Sequence, residues 1–422
     1  MASITGAWPD RAPALVHRAA EPDADVIVVG AGPAGSACAT HLARGGIRVL
    51  LLDRASFPRE KICSEFMSPE AARLLDRLGV LSDLEAAGAH PLAGTIVVAA
   101  RGAQLSGLFG QAGYAPFRET GLSLPRRLLD ARLVRAAREA GAEVRERVSV
   151  TELLYDGGAV GGVVARDAEG AVRPLRARLT VGADGLRSLV ARRLGGRSHG
   201  RLRRVAFVGH VAGVSGLGHS AEMHVGPEGY VGLNPLGGGV ANVALVVPRA
   251  RAEAARGRAE PFFFDALEGF PGVRGRVPRT GLVREVLATG PFDAWSSRVT
   301  APGALLAGDA ADFFDPFTGE GIHAALRGAE LAAAAIEEAL VRPGREAAAL
   351  AGYRRARRRA FAGKWAVERL IGYTMLAPRL FDRAVARLGR RGRMAHTLIG
   401  VTGDFVPARE VLNPLFLARM VF

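Results

Sequence analysis

Asp25-Val26-Ile27-Val28-Val29-Gly30-Ala31-Gly32-Pro33-Ala34-Gly35 is the stretch from which the rest of the chain can be read. After Asp25 the run is wholly apolar, as expected of a parallel strand buried on both faces. Three glycines at GxGxxG spacing follow, and then a small-residue helical stretch from Ala34 to Arg44. A second apolar run, Ile47-Arg48-Val49-Leu50-Leu51-Leu52, ends at Asp53. Together these make a strand–helix–strand unit of about 30 residues, the size of a βαβ crossover. In such a turn Gly30 permits the tight bend, Gly32 lets a pyrophosphate approach the backbone, and Gly35 lets the helix pack on the sheet. The helix start adds free N–H groups and a positive dipole end. Asp53 lies 23 residues after Gly30, where a carboxylate can accept ribose hydroxyls. The unit predicts a dinucleotide site.

The surroundings fit a large α/β protein. The 422 residues suggest two or three domains at ~100–200 residues each. Apolar residues make up 49% and charged residues 23%, which excludes global disorder. No run of ~18 apolar residues is long enough to span a bilayer. Met1 to Ala24 has no apolar signal core and reads as a flexible extension. Cys38 and Cys63 are too few for a disulfide framework or a zinc site, so a reducing cytoplasm is expected. The net charge of +15 comes almost wholly from arginine, Lys61 and Lys364 being the only lysines. It reads as compositional bias, with the run Arg354 to Arg359 as a solvated helix face, and no nucleic-acid partner is expected.

Downstream, Ser68-Pro69-Glu70 predicts a capped helix to about Leu78. Residues 94–109 predict a hairpin, Arg126 to Gly141 a helix, and three further strands reach Val181. Residues 203–214 and 220–247 alternate like a second sheet. A strand at Ala304 to Ala307 precedes a helix from Gly321 to about Val341, and the chain is helical from Ala347, with breaks near Pro378 and Pro407.

Two distant segments narrow the cofactor: Gly182-Ala183-Asp184-Gly185-Leu186-Arg187-Ser188, and the run 308–322, which opens Gly308-Asp309 and ends Pro316-Phe317-Thr318-Gly319-Glu320-Gly321-Ile322. With the GxGxxG, their order and separation resemble the FAD-dependent monooxygenase superfamily with the para-hydroxybenzoate hydroxylase-like fold. Phe57-Pro58-Arg59-Glu60-Lys61-Ile62-Cys63 resembles the FPRxKxCG segment of its geranylgeranyl reductase-like branch, with Ser64 replacing the last glycine. The resemblance implies a Rossmann-type FAD-binding domain (25–92, 110–202 and 299–345), a second β-sheet substrate domain (93–109 and 203–298) and a C-terminal helical region (346–422). It implies that Gly30, Gly32, Pro33, Ala34 and Gly35 hold FAD together with Asp53 and Arg54. Arg59, Cys63, Arg126 and Val148 would join them, with Asp184 and Arg187 of the DG motif. Gly308 and Asp309 would meet the ribityl chain, and Gly319, Gly321 and Ile322 the isoalloxazine.

The leading expectation is an NAD(P)H-dependent monooxygenase that oxidises an aromatic or polyketide-like molecule through a flavin C4a-hydroperoxide, with NAD(P)H a transient reductant. The alternative is an FAD-dependent reductase or dehydrogenase of an isoprenoid or lipid-like substrate. Residues 230–235 read Tyr-Val-Gly-Leu-Asn-Pro and lack the W-x-W-x-I-P segment of halogenases. Tyr230, Asn234, Pro316 and Phe317 are candidates for the wall of a cavity for a hydrophobic or aromatic substrate, with Asn242 on the neighbouring strand. Cys63 also reads as a small packing residue. His210, His219 and His224 have no metal-ligand spacing and fall in the second sheet. Trp365 to Val385 reads first as packing on the main body, with cover for a long apolar substrate or contact with a membrane as the alternatives.

Overall fold

The computed structural model describes residues 21–342 and 344–421. Residues 1–20 of the expected extension lie outside that range, and Ala24 already begins the first strand. The predicted strand–helix–strand unit is formed by Ala24–Val29, Pro33–Arg44 and Val49–Leu52, with the two strands paired in parallel. Val172–Gly182 joins the other edge of the first strand, Ala304–Leu306 pairs beyond it, and Glu143–Arg145 closes the far side, all in parallel. Ser149–Asp156 and Ala159–Arg166 extend Val172–Gly182 as antiparallel partners.

Alternation along the first strand explains why it reads as uniformly apolar. Val26 and Val28 enter a core built with the helices Pro33–Arg44, Arg126–Glu139 and Gly321–Val341. Ile27 and Val29 point the other way, into a core shared with Leu153, Val163 and Leu175 of the antiparallel strands. Both faces are covered, so neither can be polar. Ser68 caps the helix Pro69–Arg77 by accepting from the Ala71 N–H.

A seven-stranded sheet forms the second layer, in the order Leu282–Thr289, Arg204–Ala212, Val240–Pro248, Gly229–Gly237, Ser220–Gly226, Gly94–Val98, Gln104–Leu108. The predicted hairpin 94–109 thus becomes its edge. One face buries Phe207, Val231 and Leu245 against Phe262, Phe263 and Phe264. The other carries Val97, Leu105 and Phe109 against Val385, Leu388, Ile399 and Phe416, so the C-terminal helices pack on this sheet.

One reading of the arginine run is corrected. Arg354, Arg355, Arg358 and Arg359 are exposed, but Arg357 is buried. Its guanidinium pairs with Asp312 at 2.8 Å and lies over the rings of Phe361 and Trp365. The reason is helical geometry: Tyr353, Arg357 and Phe361 recur every four residues and share the inward face.

Candidate active site

The glycine loop separates structural glycines from one that the fold does not need. Gly30 has φ +98°, and a Cβ there would lie 2.5 Å from the Ala183 carbonyl oxygen. A Cβ on Gly35 would overlap the carbonyl of Gly30. Gly32 has φ −75°, open to any residue, and its Cβ would stand 3.7 Å from Arg59 Nη2 and 4.0 Å from Arg126 Nη2. The space left beside Gly32 is therefore part of a cleft.

That cleft has a volume of about 520 Å³ and lies at the carboxyl ends of the parallel strands, where open α/β sheets bind their ligands. Gly30, Gly32, Pro33 and Ala34 line one wall, and Asp53, Arg54 and Val148 line another. Asp53 is buried and holds the loop, accepting from the Ala31 N–H at 2.7 Å and the Ala55 N–H at 2.8 Å. Each carboxylate oxygen keeps a lone pair free for a further donor.

Arg59 and Arg126 face the glycine loop. Both use the fully buried carboxylate of Asp130, Arg126 through two bonds of 2.7 and 2.8 Å and Arg59 at 3.3 Å. Lys61 opens onto the same wall and has no ion-pair partner among the described residues. Desolvation within the cleft, and then repulsion from Arg126 and Arg59, push its ammonium below the usual lysine range. Two arginines thus share one carboxylate, with an unpaired lysine beside them, opposite a helix N-terminus. An anionic group bridging them would relieve that repulsion, as a pyrophosphate does.

The other end of the cleft is formed by the chain after Ala304–Leu306. Gly308, at φ +58°, turns the backbone so that Asp309 lines the cleft. The Asp309 carboxylate makes no hydrogen bond among the described residues. Burial raises its pKa, opposed by Lys61 and Arg126. Gly319 adopts the left-handed conformation at φ +74°, and Gly321 and Ile322 open the 21-residue helix Gly321–Val341 onto the cleft. That helix end adds partial positive charge beside the cavity. Donors, cations and the extra space at Gly32 fit a bound dinucleotide with its phosphates at the glycine loop.

Several candidates are engaged otherwise or lie outside the cleft. Asp184 lines the cleft, but its carboxylate accepts from Ser188 Oγ, the Leu189 N–H and the Val190 N–H, so it caps a short helix. Gly35, Cys63 and Gly319 do not line the cleft; Cys63 packs half-buried against the core. Asn234, Pro316, Phe317 and Gly319 instead meet at a second cavity, of about 50 Å³, on the seven-stranded sheet. Tyr230 does not line that cavity. It is fully buried, its hydroxyl donates to Asp315 at 2.7 Å, and its ring packs edge-on against Phe317. Asp315 also pairs with buried Arg204 at 2.7 Å, so Tyr230 supports the loop from behind.

Sequence reasoning did not single out Lys61 or the polar cluster under the first turn of Gly321–Val341. Buried Glu320 accepts from Ser68 Oγ at 2.9 Å. Lys364 Nζ stands 2.5 Å from Asp404 and 3.9 Å from Glu320, and His323 Nδ1 stands 2.6 Å from Asp404. Glu320, His323 and Asp404 could offer ligand atoms to a metal ion, but the Lys364 ammonium already stands among them. Burial lifts the nearby Glu368 carboxyl to about 7. The signal that was available is the rarity of lysine: Lys61 lines the cleft, and Lys364 lines an adjoining pocket that shares Gly308, Asp309 and Gly321 with it.

A family model described as FAD binding domain matches residues 23–368. The chain belongs to this family of FAD-dependent oxidoreductases. Among its relatives is the menaquinone reductase of Mycolicibacterium smegmatis, 34% identical over 328 residues, covering 74% of this chain and 75% of the relative. The digeranylgeranylglycerophospholipid reductase of Methanosarcina acetivorans is 30% identical over 326 residues, 75% of each chain. Among solved structures, a myxobacterial chondrochloren halogenase superimposes with TM-score 0.78 at 24% identity, covering 91% of this chain and 99% of the other. A geranylgeranyl bacteriochlorophyll reductase-like protein from Thermoplasma acidophilum gives 0.69 at 21% identity, covering 94% and 95%. These two likenesses concern the fold. No helix among the described residues is long and apolar enough to cross a membrane.

Proposed function

We propose that this FAD-dependent enzyme is a reductase of an isoprenoid-bearing or quinone-type hydrophobic substrate, with NAD(P)H as the transient reductant. The observation that carries the choice of reductase over monooxygenase is the sequence likeness to reductases across three quarters of the chain. Bound FAD supplies the two-electron chemistry. The residues of this chain then have separable tasks. Arg59, Lys61 and Arg126 hold the phosphates, Asp53 meets a ribose, and Asp309 and the Gly321 helix end flank the ribityl chain and the ring. The second cavity takes the substrate. Its walls include Phe66, Met223, Leu233 and Phe317, which exclude water from an apolar guest.

A lipid-like substrate also needs a route from its membrane. Leu376, Ala377, Pro378, Arg379 and Leu380 are consecutive and exposed, beside exposed Tyr373, at the corner between Glu346–Thr374 and Pro378–Gly389. We assign peripheral lipid contact to this corner, where apolar tips flank a cation. Leu376→Asp with Leu380→Asp should release the protein from sedimenting anionic vesicles.

The deciding experiment is anaerobic. FAD-loaded protein with NADH or NADPH and menaquinone, or an unsaturated isoprenoid glycerophospholipid, should yield a product reduced by two hydrogens without oxygen. Product formation that requires oxygen, with substrate-dependent oxygen uptake, would establish the monooxygenase reading instead.

A further inference from the structure

Reduction of a double bond by two hydrogens consumes one hydride, drawn from NAD(P)H, and one proton, for which the residues described so far include no donor. The loop from Thr318 to Ile322 runs between the two cavities. Thr318 and Gly319 line the one on the seven-stranded sheet, and Gly321 and Ile322 line the cofactor cleft. Thr318 also lines a third chamber, of about 40 Å³, against the helix Glu346–Thr374. There its hydroxyl donates to the Glu368 carboxylate at 3.4 Å. Such a length is ordinary for a proton-transfer contact before its reactants are in place. Ser64 and Thr95 line the substrate cavity too, but neither hydroxyl is bonded to an acid among the described residues. Glu222 also lines it; despite desolvation, His224 and Arg276 hold its carboxyl below the usual range, so it keeps no proton to give.

Glu368 holds a proton near neutral pH. Burial raises its carboxyl to about 7; Lys364 opposes the rise, and Asp404, Asp312 and Asp315 add to it. Lys364 stands one turn earlier on the same helix, Asp312 and Asp315 lie in the segment after Ala304–Leu306, and Asp404 follows the helix Gly392–Thr402. Asp309, Glu320 and Arg357 complete the charged lining of the chamber, and Phe361 and Trp365 are among its apolar walls. Glu368 itself is half-buried, so solvent can return a proton that it gives up.

We propose that the Thr318 hydroxyl, recharged by Glu368, delivers the proton of substrate reduction into the cavity on the seven-stranded sheet. This inference rests on the reductase reading and adds its proton donor. When Glu368 is protonated, its O–H donates to Thr318 Oγ1 and frees the Thr318 hydrogen to turn toward the guest. Transfer breaks the Thr318 O–H bond and forms the new bond at the substrate, while the Glu368 proton restores the hydroxyl. The acid is left as a carboxylate, and water reprotonates it. A quinone and an isoprenoid double bond are served alike, since each takes one hydride and one proton.

The test follows FAD-loaded protein without oxygen, on whichever of menaquinone and the unsaturated isoprenoid glycerophospholipid it reduces. In wild type, product formation should slow as pH rises through about 7. Thr318→Val keeps the shape and loses the hydroxyl; it should slow product formation roughly a hundredfold, and Thr318→Ser should recover it to within about threefold. Bleaching of the flavin by NAD(P)H, which needs no proton from Thr318, should be the same in all three. Glu368→Gln should be as slow as Thr318→Val and lose the dependence on pH. A protonated-carboxyl infrared band that titrates near 7 in wild type should be missing from Glu368→Gln. The pH profile is read on wild type, so it decides even where a variant does not fold. Thr318→Val as fast as wild type, or a wild-type rate that is flat through pH 7, would overturn the relay and leave the reductase reading standing. Wild-type protein that forms no reduced product from either substrate would overturn both.

Discussion

Gly32 and Arg59 face each other across a gap that admits one more carbon atom: a Cβ on Gly32 would rest 3.7 Å from Arg59 Nη2. Nothing in the fold requires glycine at this position, whose φ of −75° suits any residue. Gly32→Val should therefore change the stability of the flavin-free protein by no more than about 1 kcal/mol while cutting flavin retention at least tenfold. Absorbance of the purified protein and melting of the apoprotein check the two halves. Gly35→Ala is the contrast, since it overlaps the Gly30 carbonyl and should destabilise the fold itself.

Lys61 tests the charge argument. Its ammonium competes with Arg59 and Arg126 for the charge balance of the cleft, and desolvation within the cleft disfavours it further. Lys61→Met should weaken FAD binding by roughly tenfold to a hundredfold, the range of a lost charge-assisted hydrogen bond. The apoprotein should melt no lower than wild type. A titration of apoprotein with FAD reads the first effect, and its salt dependence should become shallower.

Glu368 sets a pH dependence. Burial raises its carboxyl from 4.5 to about 7. Between these values the folded chain holds a proton that the unfolded chain has released, so stability is full below pH 4.5 and falls as pH rises through 7. The loss is on the order of 2 kcal/mol, allowing for the partial exposure of the side chain. Urea midpoints at several pH values should show this decline in the wild type, and Glu368→Gln should flatten it.

The Tyr230–Asp315–Arg204 group should behave as a core element. Asp315→Ala leaves the Arg204 guanidinium buried without its partner, a loss of about 3–5 kcal/mol. Tyr230→Phe removes one hydrogen bond and should lower stability by about 1 kcal/mol. Flavin content in Tyr230→Phe should match wild type. A large rise in substrate KM without a change in melting temperature would instead place the hydroxyl on the cavity wall.

Local periodicity and turn chemistry made much of this architecture legible. The run from Asp25 to Asp53 carries its own geometry, because alternate residues must satisfy two cores and the glycines sit where backbone closes on backbone. What resisted reading was tertiary. Alternation places Tyr230 and Asn234 on one strand, but only the closure of the loop at Asp315 decides that one is sealed and the other lines a cavity. Asp184 belongs to a motif associated with the cofactor, yet the turn at Ser188 captures its carboxylate. Arg357 was hidden by its arginine neighbours, although the aromatic residues four positions before and after it mark the inward face.

The segment from Arg59 to Glu65 touches both cavities. Arg59 reaches the glycine loop and Lys61 lines the same cleft, while the carbonyls of Cys63 and Ser64 anchor Asn242 and Asn234. Glu65 ties the ends together, bonding the Arg126 N–H and Asn242. A shift of this short ribbon on loading one cavity is transmitted to the other within a few peptide units. Occupancy of the two is thus expected to be thermodynamically linked, and by reciprocity a single factor describes both directions. Measuring FAD affinity with and without a hydrophobic guest, and guest affinity with and without FAD, should return that same ratio.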